Sequence, residues 1–153
     1  MKIHRSIGVR ELVEFVLRSG DLKVEFTGAS RAVDAIKLHQ KIQYSRPAEY
    51  AAEVAIAHRL ETPDLVLDIT GRIDGVSKGG AVPVIDEIKT TRRNAEEGLR
   101  EENPLHWGQA KVYAFLYAAE HDLADIGVQL TYARLETGAF RETRRYFTRI
   151  ELQ

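Results

Sequence analysis

The chain contains no cysteine. That absence excludes disulfides, cysteine zinc sites, thiol nucleophiles and Cys-ligated iron–sulfur clusters. It also lacks any apolar run approaching the roughly 20 residues of a membrane-spanning helix. The N-terminal MKIHRSIGVREL has no apolar stretch of the kind a secretory signal needs. A cytoplasmic protein with no membrane partner is the expectation. An excess of one charge is missing too: 22 Lys and Arg face 23 Asp and Glu, for a formal net charge of −1. No blanket of positive charge is available, so any nucleic-acid contact must be local. There is no internal repeat, no low-complexity stretch and no Pro/Gly/Ser-rich linker. With 44% hydrophobic and 29% charged residues the composition is globular, and one domain over 1–153 is expected.

Hydrophobic periodicity supplies the elements. Val9, Leu12, Val13, Phe15 and Val16 fall near helical spacing from Gly8 to Ser19, and Gly20-Asp21 stops the pattern. A second helix is predicted from Ser30, a suitable N-cap, to Tyr44, with Ala32, Val33, Ile36, Leu38 and Ile42 apolar. The period then changes. Tyr50–Leu60, Leu65–Val76 and Ala81–Thr91 read as three β-branched-rich strands, the last two joined at Lys78-Gly79-Gly80, in a mainly antiparallel meander. Asn103-Pro104 is an N-cap followed by Pro at the first helical position, and a helix is predicted from there to Glu120. Ile126–Leu135 and Phe140–Leu152 read as a second hairpin turning at Glu136-Thr137-Gly138. The predicted order is α-α-β-β-β-α-β-β. The expected fold class is α/β, with one mixed sheet flanked by helices.

One group of residues carries chemistry. Asp74 ends the strand GRIDG. Glu87 and Lys89 lie on the next strand, in IDEIKTT, where a period of two puts them on one face and turns Asp86 and Ile88 away. Gly71 and Gly75 let the backbone crowd or bend beside Asp74. Two carboxylates and an ammonium on one sheet face are costly unless the carboxylates hold a hard cation. Mg²⁺ takes one or two carboxylates together with water and substrate phosphate. Lys89 can then act on a water or on the charge developing at phosphorus. An E-x-K pair also occurs on solvated strand edges. Here Ile73, Val82, Val84, Ile85 and Ile88 surround it, as in a buried strand that turns polar at one end.

Gly71-x-x-Asp74, then Glu87-x-Lys89-Thr90, then Gln109-x-x-x-Tyr113 on a helix resembles the PD-(D/E)xK nuclease superfamily. The pattern is most similar to its RecB-type branch, which includes CRISPR-associated exonucleases. The resemblance runs from about Val9 to the last strand. It implies a restriction-endonuclease-like core and Mg²⁺- or Mn²⁺-dependent hydrolysis of DNA, as an exonuclease in repair, recombination or defence. It further implies that His39, in AIKLHQKIQ, joins Asp74 and Glu87 at the metal, with the Ile88 carbonyl as another ligand. Gln109 and Tyr113 would then flank the site and position the substrate or Lys89. The N-terminal VRELVEFVLRSGDL is also similar to nuclease domains ahead of DinG-like helicases, which implies a helicase partner or a fused helicase domain. No G-x-x-x-x-G-K-[ST] loop occurs, so this chain would be the nuclease portion alone. The family's iron–sulfur members need cysteines that are absent here.

Basic residues cluster near these motifs. Arg92 and Arg93 follow Lys89 closely. Arg141, Arg144, Arg145 and Arg149 lie in the last predicted strand, with Tyr146 and Phe147 among them. Such a stripe can track a phosphate backbone, and Arg92, Arg144 and Arg145 are the candidate DNA contacts, for single strands or ends. A charged edge strand that resists aggregation is the structural alternative. Glu53 stands opposite its apolar neighbours and is a candidate second carboxylate layer. His106 lies three residues before Gln109. A catalytically silent nucleic-acid-binding or assembly module of the same fold is the alternative function.

Overall fold

The computed structural model describes residues 1–17, 29–91 and 103–153. The chain opens with strand β1 (Ile3–Gly8) and helix α1 (Val9–Val16), followed by helix α2 (Ala29–Ser45). Three strands come next: β2 (Tyr50–Glu61), β3 (Leu65–Ser77) and β4 (Val84–Thr91). Helix α3 (Pro104–Glu120) crosses over to strands β5 (Asp125–Arg134) and β6 (Phe140–Thr148), and a short helix α4 (Arg149–Leu152) closes the order.

All six strands form one mixed sheet, in the order β1-β3-β4-β5-β6 with β2 also on β3. β3 is the hub. β2 runs antiparallel along one edge of it, from Glu61 opposite Val66 to Tyr50 opposite Ser77. β1 pairs in parallel with Leu65–Thr70 on the other edge, and β4 pairs antiparallel with only Gly75–Ser77. The expected β3–β4 hairpin is therefore present but separates after three residue pairs. β4 then continues in parallel with β5, and β5 pairs antiparallel with β6 through the expected second hairpin.

The helices cover opposite faces. On one, α1 and α3 pack over Ile69, Ile73, Ile85, Val128 and Leu130, with Trp107, Ala110, Tyr113 and Tyr117 contributed by α3. On the other, Leu38 and Ile42 of α2 meet Ile88 and Ala133. The side chain of Asn103 accepts from the Leu105 N–H at 2.9 Å, with Pro104 opening α3, as its sequence predicts.

The structure corrects three expectations. β1 was not expected: it is an edge strand, mostly exposed apart from Ile7 and Gly8, and IHRSIG carries too little apolar alternation to announce it. The last strand stops at Thr148 rather than Leu152. Thr148 and Glu151 form a reciprocal capping box that starts α4, which moves Arg149 off the strand. α1 ends at Val16, and the Gly20-Asp21 stop lies outside the described residues, as do Arg92, Arg93 and the acidic run from Glu96 to Glu102.

A buried polar cluster pins α2 to the sheet. Asp86 is 1% exposed. One of its oxygens accepts from Thr131 Oγ1 (2.6 Å) and Gln129 Nε2 (3.2 Å), and the other from Tyr50 Oη (2.8 Å) and Arg46 Nη2 (3.1 Å). Tyr50 reaches this position only because Gly75 has no side chain. A Cβ there would lie 1.7 Å from the Tyr50 hydroxyl oxygen. Arg46→Met should strand the Asp86 carboxylate and destabilise by about 3 kcal/mol, a melting-temperature loss of about 10 °C. Arg46→Met with Asp86→Asn, which removes the charge but keeps an oxygen for Thr131 and Gln129, should recover part of that loss in the same thermal melts. A double variant as unstable as the single one would show that the charge pair is not the reason.

Candidate active site at the strand fork

The register sets the geometry of the site. Between Thr70, where β1 stops pairing, and Gly75, where β4 begins, one edge of β3 has no strand beside it. Asp74 sits in that gap. Past Asp86, β4 has parted from β3, so its backbone N–H groups on that edge need another acceptor. Asp74 Oδ2 takes the Ile88 N–H at 2.8 Å. A carboxylate thus bridges the fork where a strand carbonyl would otherwise be.

Glu87 and Lys89 turn toward α3, as their spacing predicts, while Asp86 and Ile88 turn toward α2. Lys89 Nζ lies 3.0 Å from Glu87 Oε1 and donates to Gln109 Oε1 at 2.8 Å. Tyr113, one turn further along α3, lies on Gly71: a Cβ there would come within 2.7 Å of the ring. The residues of the Gly71-x-x-Asp74 and Gln109-x-x-x-Tyr113 motifs are therefore in contact through ring and backbone. From α2, His39 Nδ1 approaches Asp74 Oδ1 to 4.0 Å. Four residues on, Gln43 Nε2 donates both to the Asp74 carbonyl (2.8 Å) and to Glu53 Oε1 (2.9 Å).

The electrostatics are those of an under-paired site. Burial pushes the Asp74 carboxyl up to about 6, against the Ile88 N–H and Lys89, which favour its charged form. Burial pushes Glu87 up to about 7, with Lys89 opposing and the Asp74 charge adding to the rise. Burial lowers the pKa of His39, so its ring is neutral near pH 7, the form that can ligate a metal. Glu87 Oε2 is buried and accepts no hydrogen bond. The other buried, unpartnered side-chain atoms among the described residues are Arg46 Nε and Arg134 Nε, both donors. A lone buried acceptor beside a second carboxylate suits a divalent cation. Among the described residues, no three His, Asp or Glu side chains group closely enough to hold a metal by themselves. Asp74 and Glu87 with backbone, water and phosphate oxygens would have to suffice, which is the mixture Mg²⁺ accepts.

The other candidates spread over the two faces of the sheet. Arg144 and Arg145 point oppositely. Arg144 donates to Gln129 Oε1 at 2.9 and 2.7 Å on the α2 side, and Arg145 stacks over Trp107 at 4.4 Å on the α3 side. His106 Nδ1 is 2.8 Å from the Tyr132 hydroxyl, and burial brings its pKa down to about 4. Arg92 lies outside the described residues. Sequence reasoning missed Gln43, which is buried. Its signal was its place four residues after His39, on the same side of α2.

A family model described as the PD-(D/E)XK nuclease superfamily matches residues 11–151. Among solved structures, the chain is similar to that of SSO0001, with TM-score 0.64 and 22% identity over 94% of this chain and 68% of that one. A phage-related exonuclease from Haemophilus somnus 129PT gives TM-score 0.45 and 16% identity over 94% and 72%. No curated protein sequence matches.

The raised carboxyl pKa values have a stability consequence with a definite sign. A group whose pKa is higher folded than unfolded favours folding while it is protonated, and loses that contribution as pH rises through its folded value. For Asp74 and Glu87 the loss falls between about pH 4 and pH 7. His39 and His106, with lowered pKa values, act in the opposite sense, so the comparison must be between variants. Without divalent cations, Glu87→Gln should gain on the wild type as pH rises from about 5 to about 8, by on the order of 2 kcal/mol. Thermal melts of both proteins in chelator check this. A constant difference across that range would show that Glu87 is not held in an unfavourable charged state.

Proposed function

Because the chain belongs to the PD-(D/E)XK nuclease superfamily, we propose that it hydrolyses DNA phosphodiester bonds with Mg²⁺ or Mn²⁺ held by Asp74 and Glu87. The observation that carries this reading is the unpartnered Glu87 Oε2, buried beside Asp74. Asp74 Oδ2 is engaged by the Ile88 N–H, which leaves Oδ1 for a ligand. The Ile88 carbonyl and the neutral His39 ring are the further donors at hand, His39 by its approach to Asp74. A cation bound there would supply Lewis acidity toward a phosphoryl oxygen and a water of lowered pKa.

The protein's own groups do the rest. Lys89 is held from two sides, by Glu87 Oε1 and Gln109 Oε1. Its remaining N–H is free to donate to the attacking water or to the charge that develops on the phosphate oxygens. Gln109 fixes that ammonium, and Tyr113 fixes the helix against β3 through Gly71. Arg145, stacked over the buried Trp107 ring on the same face, offers a cation to a backbone running past β6. The RecB-type sequence pattern adds single strands or ends as the preferred substrate, and a helicase as the partner that would present them in the cytoplasm.

End-labelled single- and double-stranded DNA incubated in Mn²⁺ and in EDTA tests the reading. Cleavage in Mn²⁺ alone is expected, with a ladder that separates end from internal action. Binding without cleavage in either condition would favour the catalytically silent module. Lys89→Ala should lower turnover by about 10² while DNA binding changes far less. Mg²⁺ at about ten times its dissociation constant should stabilise the wild type by about 1.4 kcal/mol, a shift of roughly 3 °C. Asp74→Asn keeps an oxygen for the Ile88 N–H and should abolish that shift. An unchanged shift in this variant would remove Asp74 from the metal site.

A further inference from the structure

Beside the candidate active site, between α2 and the start of β2, lies a cleft of about 550 Å³. Gln40, Gln43, Tyr44, Tyr50, Glu53 and Arg72 line it. Helical spacing explains how α2 serves both places. His39 and Gln43, four apart, face Asp74. Gln40 and Tyr44, also four apart, form the adjacent strip and face the cleft. Gln43 is the shared wall, since its single amide nitrogen donates to the Asp74 carbonyl and to Glu53.

Glu53 is the irregular member. Its φ is 55°, in the left-handed region that a non-glycine residue rarely adopts. It stands where Asp74 would be its partner, and the β2–β3 ladder is interrupted at that position alone between Ala52 and Val54. Strain of this kind persists where surrounding structure holds it, and it clusters at ligand sites. Tyr44 is 86% exposed, a ring presented at the rim of a cleft rather than packed. Arg72 is exposed as well, with its Nε 4.0 Å from Glu53 Oε2.

The lining narrows the ligand. A simple anion would meet the Glu53 carboxylate, and an apolar ligand would meet amides and charges. A nucleobase suits all of them. Its face can stack on Tyr44, and its edge offers donors and acceptors to Glu53 and Gln40. A base inside a duplex has both faces covered, so only an unpaired base can enter. We propose that this cleft receives one unpaired nucleobase of a single-stranded segment, adjacent to the phosphate that reaches Asp74 and Glu87. This rests on the hydrolase reading of the neighbouring site and assigns its single-strand preference to named residues and a base-binding cleft.

The test is binding in chelator, where no cleavage is expected, of a short single-stranded oligonucleotide carrying 2-aminopurine, with a blunt duplex of the same sequence as comparison. The wild type should bind the single strand more tightly and quench its fluorescence through stacking. Tyr44→Ala should weaken single-strand binding about tenfold, leave duplex binding unchanged and lose the quenching. Tyr44→Phe, which keeps the ring, should behave as the wild type. Because Tyr44 is exposed, both variants should melt as the wild type does. The proposal is overturned if Tyr44→Ala binds the single strand normally, if the loss is equal for duplex, if Tyr44→Phe is as weak as Tyr44→Ala, or if the wild type binds no single strand. The two readings separate cleanly. Tyr44-dependent binding with no cleavage in Mn²⁺ leaves the cleft and removes the hydrolase. Normal cleavage without Tyr44 dependence does the reverse.

Discussion

A strand that leaves its neighbour exposes backbone donors, and the whole site is built around the one that Asp74 accepts. β4 pairs with β3 for three residues and then turns to run with β5. The Ile88 N–H would be buried without an acceptor at that point, a cost of about 1–3 kcal/mol. Asp74 removes it with a carboxylate oxygen at 2.8 Å. The bond fixes the carboxylate at the opening of the fork and locks the segment of β4 that carries Glu87 and Lys89. Under the proposed function, the same side chain meets a structural need and a chemical one.

The two faces of β4 then show how alike residues divide into structure and chemistry. Asp86 and Glu87 are adjacent and both buried. Asp86 accepts four hydrogen bonds, and its negative charge is met by Arg46. Nothing about it calls for a ligand. Glu87 has one oxygen on Lys89 and the other on nothing. A buried polar group that is completely satisfied rigidifies a fold, whereas a partly satisfied one costs stability until something else binds. Burial alone therefore does not mark a functional carboxylate. What separates Glu87 from Asp86 is the count of donors around each oxygen.

Much of this was legible in the sequence where period and turn chemistry act locally. The alternation in IDEIKTT assigned Glu87 and Lys89 to one face and Asp86 and Ile88 to the other, and the contacts agree. Adjacent Arg144 and Arg145 were bound to diverge, and they do. Asn103-Pro104 opened its helix as read. What the sequence did not disclose depended on distant partners. β1 exists because the free half of the β3 edge accepts it, not because IHRSIG is a strong strand. The Thr148–Glu151 capping box was visible in principle, but Ile150 and Leu152, two apart, read as a continuation of the strand. Gln43, Arg46 and Tyr50 gain their roles only when α2 is laid across the sheet, and no spacing rule within one element reveals a bond between residues 31 or 40 positions apart.

α2 is consequently the element through which these features communicate. Its C-terminal end is held at Arg46 by Asp86 and Glu142. One turn back, Gln43 binds the Asp74 backbone, and a further turn back His39 faces the Asp74 carboxylate. Gln40 and Tyr44 ride on the same helix toward the neighbouring cleft. These groups sit on one rigid helical frame, so they cannot be displaced independently. A shift of α2 large enough to move Tyr44 would also change the reach of His39 and Gln43 to Asp74. The Asp86–Arg46 pair lies on the α2 side of β4, next to Glu87, and it holds the end of the helix that completes the surroundings of the two carboxylates. In the proposed reaction a misplacement of about 1 Å between that helix and the carboxylates would cost a large factor in rate.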